Sequence, residues 1–391
     1  MTPETKEFIN KHLDENIHQL ALQSSRFPLV DISMAIRQIN GKQKIKSKVP
    51  LFYKNDEVLY PIQLSLEQSS SESTAKYKSN LCEGKSIADL TGGFGVDCCF
   101  MSERFECATY VERQAELCAL ANHNYRVLSR NNIEVVHAET EQYLAEMNPV
   151  DWIFIDPARR SSSGKKVVFL SDCEPDVSAL SLLLLQKAKQ VMIKLSPMMD
   201  ITAAAKELPN TFEIHIISIE NECKEVLLLL DQEVHSNPKI TTVNLSKNDK
   251  KDVFEFFQNE ESVIQINFAS TTETYLYEPN TSVMKSGAFK LIAGKFELHK
   301  LHINTHLYTS VKLTLDFPGR TFKVQNQWGN SKKELKELAE KIPKANMSVR
   351  NYPLSVDDLR KKLKIKEGGE TYLFACTLAN EQKVIIECKK V

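Results

Sequence analysis

At 391 residues the chain is long enough for two to four domains, each with its own core. A formal net charge of −1 excludes a global attraction to polyanions, so any nucleic-acid surface has to be local. Nine cysteines without framework spacing exclude a disulfide scaffold and point to reduced thiols; the adjacent Cys98 and Cys99 meet neither zinc nor redox spacing.

The first twenty residues alternate charged and apolar side chains, unlike a secretory leader. The longest apolar run, around 182–185, is far shorter than the roughly 20 residues of a membrane span. A cytoplasmic protein is expected. Residues 1–48 read as helices at 3–13, 15–23 and about 32–39, the last running into alternating Lys42, Lys44, Lys46 and Lys48. Residues 51–66 read as extended, and the polar patch 69–73 caps a short helix toward Asn80.

From 85 to 231 strands and helices alternate. Strands are predicted at 86–90, 108–112, 134–138, 152–156, 191–195, 213–219 and 225–230, and helices at 97–104, 114–129, 139–147, 176–189 and 201–207. This alternation predicts a parallel sheet buried on both faces. Only Glu220-Asn221-Glu222-Cys223-Lys224 separates the last two strands, too short for a crossover helix, so the seventh runs antiparallel to the sixth. Residues 238–317 read as a small α+β unit with strands at 240–245, 263–268, 296–301 and 310–317. Residues 318–391 form another, with a strand near Val324, helices at 332–341 and 356–363, and strands at 372–377 and 383–388. The expected division is an N-terminal helical region at 1–75, the sheet domain at 76–235, and α+β domains at 236–319 and 320–391.

The first strand leads into Asp89-Leu90-Thr91-Gly92-Gly93-Phe94-Gly95-Val96-Asp97. An apolar strand ending in an acid, a glycine-rich turn and a helix N-terminus is an architecture for gripping an adenosine-type cofactor with backbone. The turn has no Lys or Arg and is bracketed by two carboxylates. These disfavour a pyrophosphate and suit a ligand with an amino group and a sulfonium, as in S-adenosylmethionine. A plain strand–turn–helix using glycine for positive φ is the bland alternative. Gly93-x-Gly95-x-x-Cys98 nearly matches a dinucleotide fingerprint, but Cys98 stands where a third small residue belongs.

Glu112, 17 residues after Gly95, ends the second strand, where an acid can accept both ribose hydroxyls of either adenosine cofactor. Glu139 follows the third strand, where it either flanks the adenine or serves as a first-turn helix acid. The fourth strand ends in Asp156-Pro157-Ala158-Arg159-Arg160. Pro157 holds Asp156 extended beside the cofactor, where the carboxylate can orient an acceptor amine for in-line methyl transfer. Arg159 and Arg160 suit an anionic substrate, and Ser161–Ser163 with Gly164, Lys165 and Lys166 read as a basic substrate lid. The fifth strand leads into Lys194-Leu195-Ser196-Pro197 and carries no cysteine nucleophile, so covalent attack on a pyrimidine is not expected. Residues 331–366 hold 11 Lys/Arg against 5 Asp/Glu, including Arg360, Lys361 and Lys364, with Arg350 and Tyr352 nearby. This reads either as an RNA-backbone footprint or as a solvated face.

Together these motifs, with Arg350-Asn351-Tyr352-Pro353-Leu354 and Lys364-Ile365-Lys366-Glu367-Gly368-Gly369, resemble a class I S-adenosylmethionine-dependent methyltransferase family known from Bacteroidetes, with ferredoxin-like and THUMP-like C-terminal domains. The resemblance covers nearly the whole chain. It implies an α/β fold: a seven-stranded Rossmann-like sheet closed by an antiparallel hairpin, after an N-terminal helical region and before two small α+β domains. It implies S-adenosylmethionine as cofactor, held by Asp89, Thr91, Gly92, Gly93, Gly95, Asp97, Glu112 and Glu139, with Asp156 and Pro157 catalytic. It also implies a structured RNA partner, tRNA or rRNA, contacted by Arg159, Arg160, Lys165, Arg350, Tyr352, Arg360, Lys361 and Lys364. The first loop is similar to that of small-subunit rRNA guanine-N2 methyltransferases. The chain departs from the Asp/Asn-Pro-Pro-aromatic pattern of amino-directed nucleic-acid enzymes, having Ala158-Arg159 there. The expected function is methylation of a purine nitrogen in structured RNA. The alternatives are a protein or small-molecule methyltransferase, and an RNA-binding protein without turnover. No metal and no membrane partner are expected.

Overall fold

The computed structural model describes residues 1–23, 26–159, 170–247 and 251–391, with the backbone alone at Arg159. It divides into two compact units, Met1–Phe212 with Leu227–His235, and Glu213–Val226 with Ser236–Val391.

In the first unit, side-chain oxygens start each of the opening helices. Thr2 caps α1 (Pro3–Lys11), Asn16 caps α2 (Ile17–Leu22) and Asp31 caps α3 (Ile32–Lys48). Phe8, Ile9, Leu20, Ala35 and Ile39 form their shared core. α3 runs nine residues past the expected end, because Gly41, Lys42 and Ile45 continue its buried stripe. The stretch expected to be extended instead holds α4 (Pro50–Lys54) and α5 (Gln63–Gln68), with Pro50 as helix starter. Its middle is free of helix and strand, and its backbone bonds side-chain amides. Gln38 bonds both backbone groups of Tyr60 (2.9 and 3.1 Å), and Asn124 does the same for Leu59 (2.8 and 2.9 Å). α6 (Glu72–Ser79), capped by Ser71, leads into the sheet.

That sheet comprises β1 (Gly84–Asp89), β2 (Phe105–Glu112), β3 (Ile133–His137), β4 (Val150–Ile155), β5 (Ala188–Leu195), β6 (Thr211–Ile219), β7 (Glu222–Leu230), β8 (Lys239–Leu245) and β9 (Lys251–Phe257). Between the first six lie α7 (Val96–Met101), α8 (Ala115–Val127), α9 (Thr140–Glu146), α10 (Val177–Lys187) and α11 (Ile201–Glu207). The order is β9-β8-β6-β7-β5-β4-β1-β2-β3, nine strands rather than the expected seven. β6 and β7 are joined by Glu220 and Asn221 alone, both with positive φ, as a two-residue hairpin turn requires. Residues 239–257, expected in the small α+β unit, extend this sheet instead: β8 runs parallel to β6, and β9 antiparallel to β8.

A second, seven-stranded sheet is built from β10 (Tyr275–Pro279), β11 (His299–His302), β12 (Thr305–Ser310), β13 (Gly319–Trp328), β14 (Lys344–Arg350), β15 (Lys366–Thr377) and β16 (Lys383–Lys390), in the order β11-β12-β10-β13-β16-β15-β14. Four helices accompany it: α13 (Thr281–Ser286), α14 (Leu291–Lys295), α15 (Lys332–Lys341) and α16 (Val356–Leu363), with α12 (Glu260–Val263) preceding. Residues 263–268, expected as a strand, contribute one isolated bridge, Phe268 to Lys300, and 310–317 turns away after Ser310. β15 is covered on both faces: Phe374 joins one core with Leu276, Phe322 and Ile386, and Leu373 another with Leu338, Leu359 and Ile385.

Candidate active site

Parallel pairing brings the strand ends to one edge of the sheet. Asp89 lies opposite Tyr110 of β2 and Phe154 of β4, Glu112 opposite His137 of β3, and Ile155 opposite Ile193 of β5. The residues that end or follow these strands therefore gather along one edge, where an open parallel sheet leaves a ligand crevice.

The glycine turn is tied down by its own backbone. Gly92 N–H donates to the Val111 carbonyl (2.9 Å) and Gly95 N–H to the Gly92 carbonyl (2.9 Å). Tyr110 donates to the Gly93 carbonyl (2.6 Å) and Tyr125 to the Gly95 carbonyl (3.0 Å). Phe94 is buried and packs edge-on against Phe52 (5.3 Å). Glu112, also buried, accepts from Gly93 N–H (2.9 Å) and, with its other oxygen, from Gln114 N–H (2.8 Å). Asp89, 2 % exposed, accepts from Thr91 N–H (3.1 Å). Burial pushes its carboxyl well above the usual carboxylate range, and the neighbouring Asp97, Asp156 and Glu112 charges add to the effect.

Asp97 opens α7 and is buried. Ser70 donates to it (2.6 Å), Lys78 Nζ lies 3.0 Å away and Lys194 Nζ 3.9 Å away. Burial favours its neutral form, but the Lys78 and Lys194 ammonium groups and the Ser70 hydroxyl outweigh it and hold the carboxyl below the usual range. Asp156 follows β4, its N–H donating to Thr91 Oγ1 (2.6 Å) and its carboxylate accepting from Lys194 Nζ. Its side chain is 34 % exposed. Burial raises this carboxyl above its ordinary value against the pull of Lys194, with Asp97 adding to the rise. Pro157 beside it is buried.

Glu139 is exposed at the start of α9 and makes no side-chain cap. Its neighbour Thr140, which the sequence did not suggest, donates to the Leu90 carbonyl (2.7 Å). Arg160 and Lys165 lie outside the described residues. Ala158–Arg159 pairs antiparallel with Cys173–Glu174, and Glu174 takes an ion pair from Arg113 (2.5 Å).

The remaining expected substrate residues belong to the second unit. Arg350 bonds buried Glu278 (2.7 Å), which also holds Arg320. Tyr352 donates to Asn330 (2.9 Å), and Arg360 pairs with Glu367 (2.8 Å). Lys361 is exposed on α16, and Lys364 is its left-handed C-cap (φ 55°). Among the described residues, no helix is long and apolar enough to cross a membrane, and no group of three or more His, Cys, Asp or Glu could hold a metal.

Sequence reasoning missed Lys78, Lys194 and Ser70. Lys194 had a signal: a lysine inside the apolar strand Val191–Leu195 must be buried and so needs a partner. Lys78 had none, since a lysine on a short polar helix reads as solvated.

The fold is that of a class I methyltransferase. The family model of a ferredoxin-like domain matches residues 275–318, and a THUMP domain-like model matches 319–390. Over 99 % of its length the chain is similar to 97 % of a candidate methyltransferase from Porphyromonas gingivalis W83, at 32 % identity and a TM-score of 0.90. A candidate class I S-adenosylmethionine-dependent methyltransferase from Listeria monocytogenes is similar over 62 % of this chain and 93 % of its own, but its 12 % identity and TM-score of 0.39 support no argument. No curated protein matches. The chain belongs to the class I S-adenosylmethionine-dependent methyltransferase family that carries ferredoxin-like and THUMP-like C-terminal domains.

Proposed function

We propose that the protein is an S-adenosylmethionine-dependent methyltransferase acting on structured RNA, tRNA or rRNA, with a purine nitrogen as acceptor. The observation that carries this reading is the convergence of three acids on one glycine turn without Lys or Arg: Asp89 and Glu112 accept from the Thr91 and Gly93 N–H groups, and the Asp156 N–H donates to Thr91 Oγ1. The residues fit the cofactor. A Cβ at Gly93 would meet only the Thr91 carbonyl, at 3.9 Å, so a ligand can lie directly on this backbone. Asp89, Thr91, Gly92, Gly93, Gly95 and Asp97 would line its methionine side, Glu112 its ribose and Glu139 its adenine. When bound, S-adenosylmethionine supplies an electrophilic methyl group.

Asp156 accepts a hydrogen bond from the acceptor and fixes its lone pair in line, which is where proximity gains most. Pro157 keeps that residue extended. An RNA substrate is supported by the THUMP-like match at 319–390 and by the exposed Lys361 and Lys364. Arg159, Arg160, Lys165, Arg350, Tyr352 and Arg360 complete the proposed contacts.

The test is calorimetric titration with S-adenosylhomocysteine and NADH in parallel, on wild type and Asp89→Ala. S-adenosylhomocysteine binding that is lost in the variant, followed by tritiated methyl transfer to total RNA, is the expected result. Binding of NADH alone would sink the proposal.

A further inference from the structure

Two lysines carry charge into an interior that ordinarily excludes it. Lys78 is fully buried and comes from α6, before the first strand of the sheet; the Lys194 side chain is 12 % exposed and comes from β5. They are not equivalent. Lys78 lies 3.0 Å from Asp97 and donates to Ser70 (2.9 Å), which donates to Asp97 in turn. Asp97 thus has a cation and a hydroxyl supplied from the N-terminal region. Lys194 is 3.9 Å from Asp97 and hydrogen-bonds Asp156 Oδ2. Lys78 is the nearer cation to Asp97, and of the two carboxylates beside Lys194 the nearer is Asp156.

The Asp156 backbone is fixed by its bond to Thr91, and its side chain by Lys194. Oδ1 accepts from no described residue, and the side chain keeps a third of its surface. We infer that Lys194 is a positioning residue for the acceptor: it commits Asp156 Oδ2 to the protein and leaves Oδ1 as a single-point acceptor. This rests on the methyltransferase reading above and narrows its substrate class. A single carboxylate oxygen selects an acceptor atom that bears its own hydrogen, such as an exocyclic amine or a ring N–H. A bare ring-nitrogen lone pair gains nothing from it.

Among the described residues, the charged groups that face Asp156 are Lys194, Asp97, Lys78 and Asp89. Removing the Lys194 charge leaves Asp156 beside Asp97, with Lys78 already engaged there, so Asp156 holds its proton to higher pH. The test uses the full chain labelled with ¹³C at the aspartate carboxyl carbons, the Asp156 resonance being assigned with Asp156→Asn. In Lys194→Met the Asp156 midpoint should rise by about one pH unit or more, and Lys194→Arg should restore it. Lys194→Gln, which keeps a donor and loses the charge, should also raise it and serves if the Met variant does not fold. S-adenosylhomocysteine affinity should stay within a few-fold in every variant. An unmoved midpoint in Lys194→Met or Lys194→Gln overturns the inference. Failure of wild type to bind S-adenosylhomocysteine would instead overturn the methyltransferase reading, with the titration still readable.

Discussion

Gly92 and Gly93 are neighbours that answer to different demands. A Cβ at Gly92 would sit 2.1 Å from a ring carbon of Tyr110. That ring cannot step aside, because it bonds the Gly93 carbonyl and packs edge-on against Tyr125 (5.7 Å). Gly92→Ala should therefore cost about 1–3 kcal/mol of stability by overpacking, read by denaturant unfolding. Gly93 has open space on its Cβ side, and its φ of +54° is a conformation alanine adopts at a cost of about 1–2 kcal/mol. Gly93→Ala should fold with that modest loss, yet bind S-adenosylhomocysteine at least roughly tenfold more weakly, a loss of about 1.4 kcal/mol. Unchanged affinity would mean that no ligand lies on this backbone.

At the scale of elements, legibility followed local chemistry. The helices Ile201–Glu207, Lys332–Lys341 and Val356–Leu363 were expected with these bounds, and each starts at a side-chain cap: Asp200, a Ser331–Glu334 capping box, and Ser355. Residues 51–66 were misread at both ends, where α4 and α5 form; in between, the partners of Leu59 and Tyr60 are amides on distant helices, which no local pattern announces. β10 and β14 were missed altogether. β14 lies at a sheet edge, and six of its seven residues are only partly buried or exposed, so it lacks the alternation that marks a half-buried strand. In the site, the motif residues at strand ends were legible. Lys78 was not, because its partner Asp97 comes from another element.

The β11–β12 hairpin carries a prediction of its own. Lys300, fully buried, donates to the carbonyls of His302, Ile303 and Thr305. His306 on β12 stacks on Phe289 (3.7 Å), and burial together with the Lys300 and Arg350 charges depresses it to about 4. A base whose folded pKa is lowered binds fewer protons folded than unfolded between about 4 and 6.5. Stability should therefore fall on acidification through that window. After discounting for partial exposure the loss is about 1–2 kcal/mol. His306→Phe, which keeps the stack, should flatten this part of the stability–pH curve. A curve parallel to wild type would show that His306 does not titrate as a buried base.

For the whole molecule, the boundary between the two family models falls between residues 318 and 319, inside one continuous sheet. β10, on the ferredoxin-like side, pairs antiparallel with β13 on the THUMP-like side, with Leu276 opposite Phe322 and Glu278 opposite Arg320. Leu276, Leu301 and Leu307 from before the boundary share a core with Phe322, Phe374 and Ile386 from after it. A chain ending at Pro318 would lose the whole of one ladder of β10 and leave those leucines facing water, each side chain forfeiting about 1.5–3 kcal/mol of burial. Exposed apolar surface beside an unpaired strand is also a template for aggregation. The two C-terminal domains should then behave as one cooperative unit, with no ferredoxin-like module that outlives its partner. Hydrogen exchange on the intact protein should protect the β10 and β16 amides to the same free energy. The chain truncated after Pro318 should aggregate, or lose β10 protection altogether. A soluble truncated chain with β10 as protected as in wild type would mean that β12 alone suffices to hold that strand and that the sheet joins two domains independently stable.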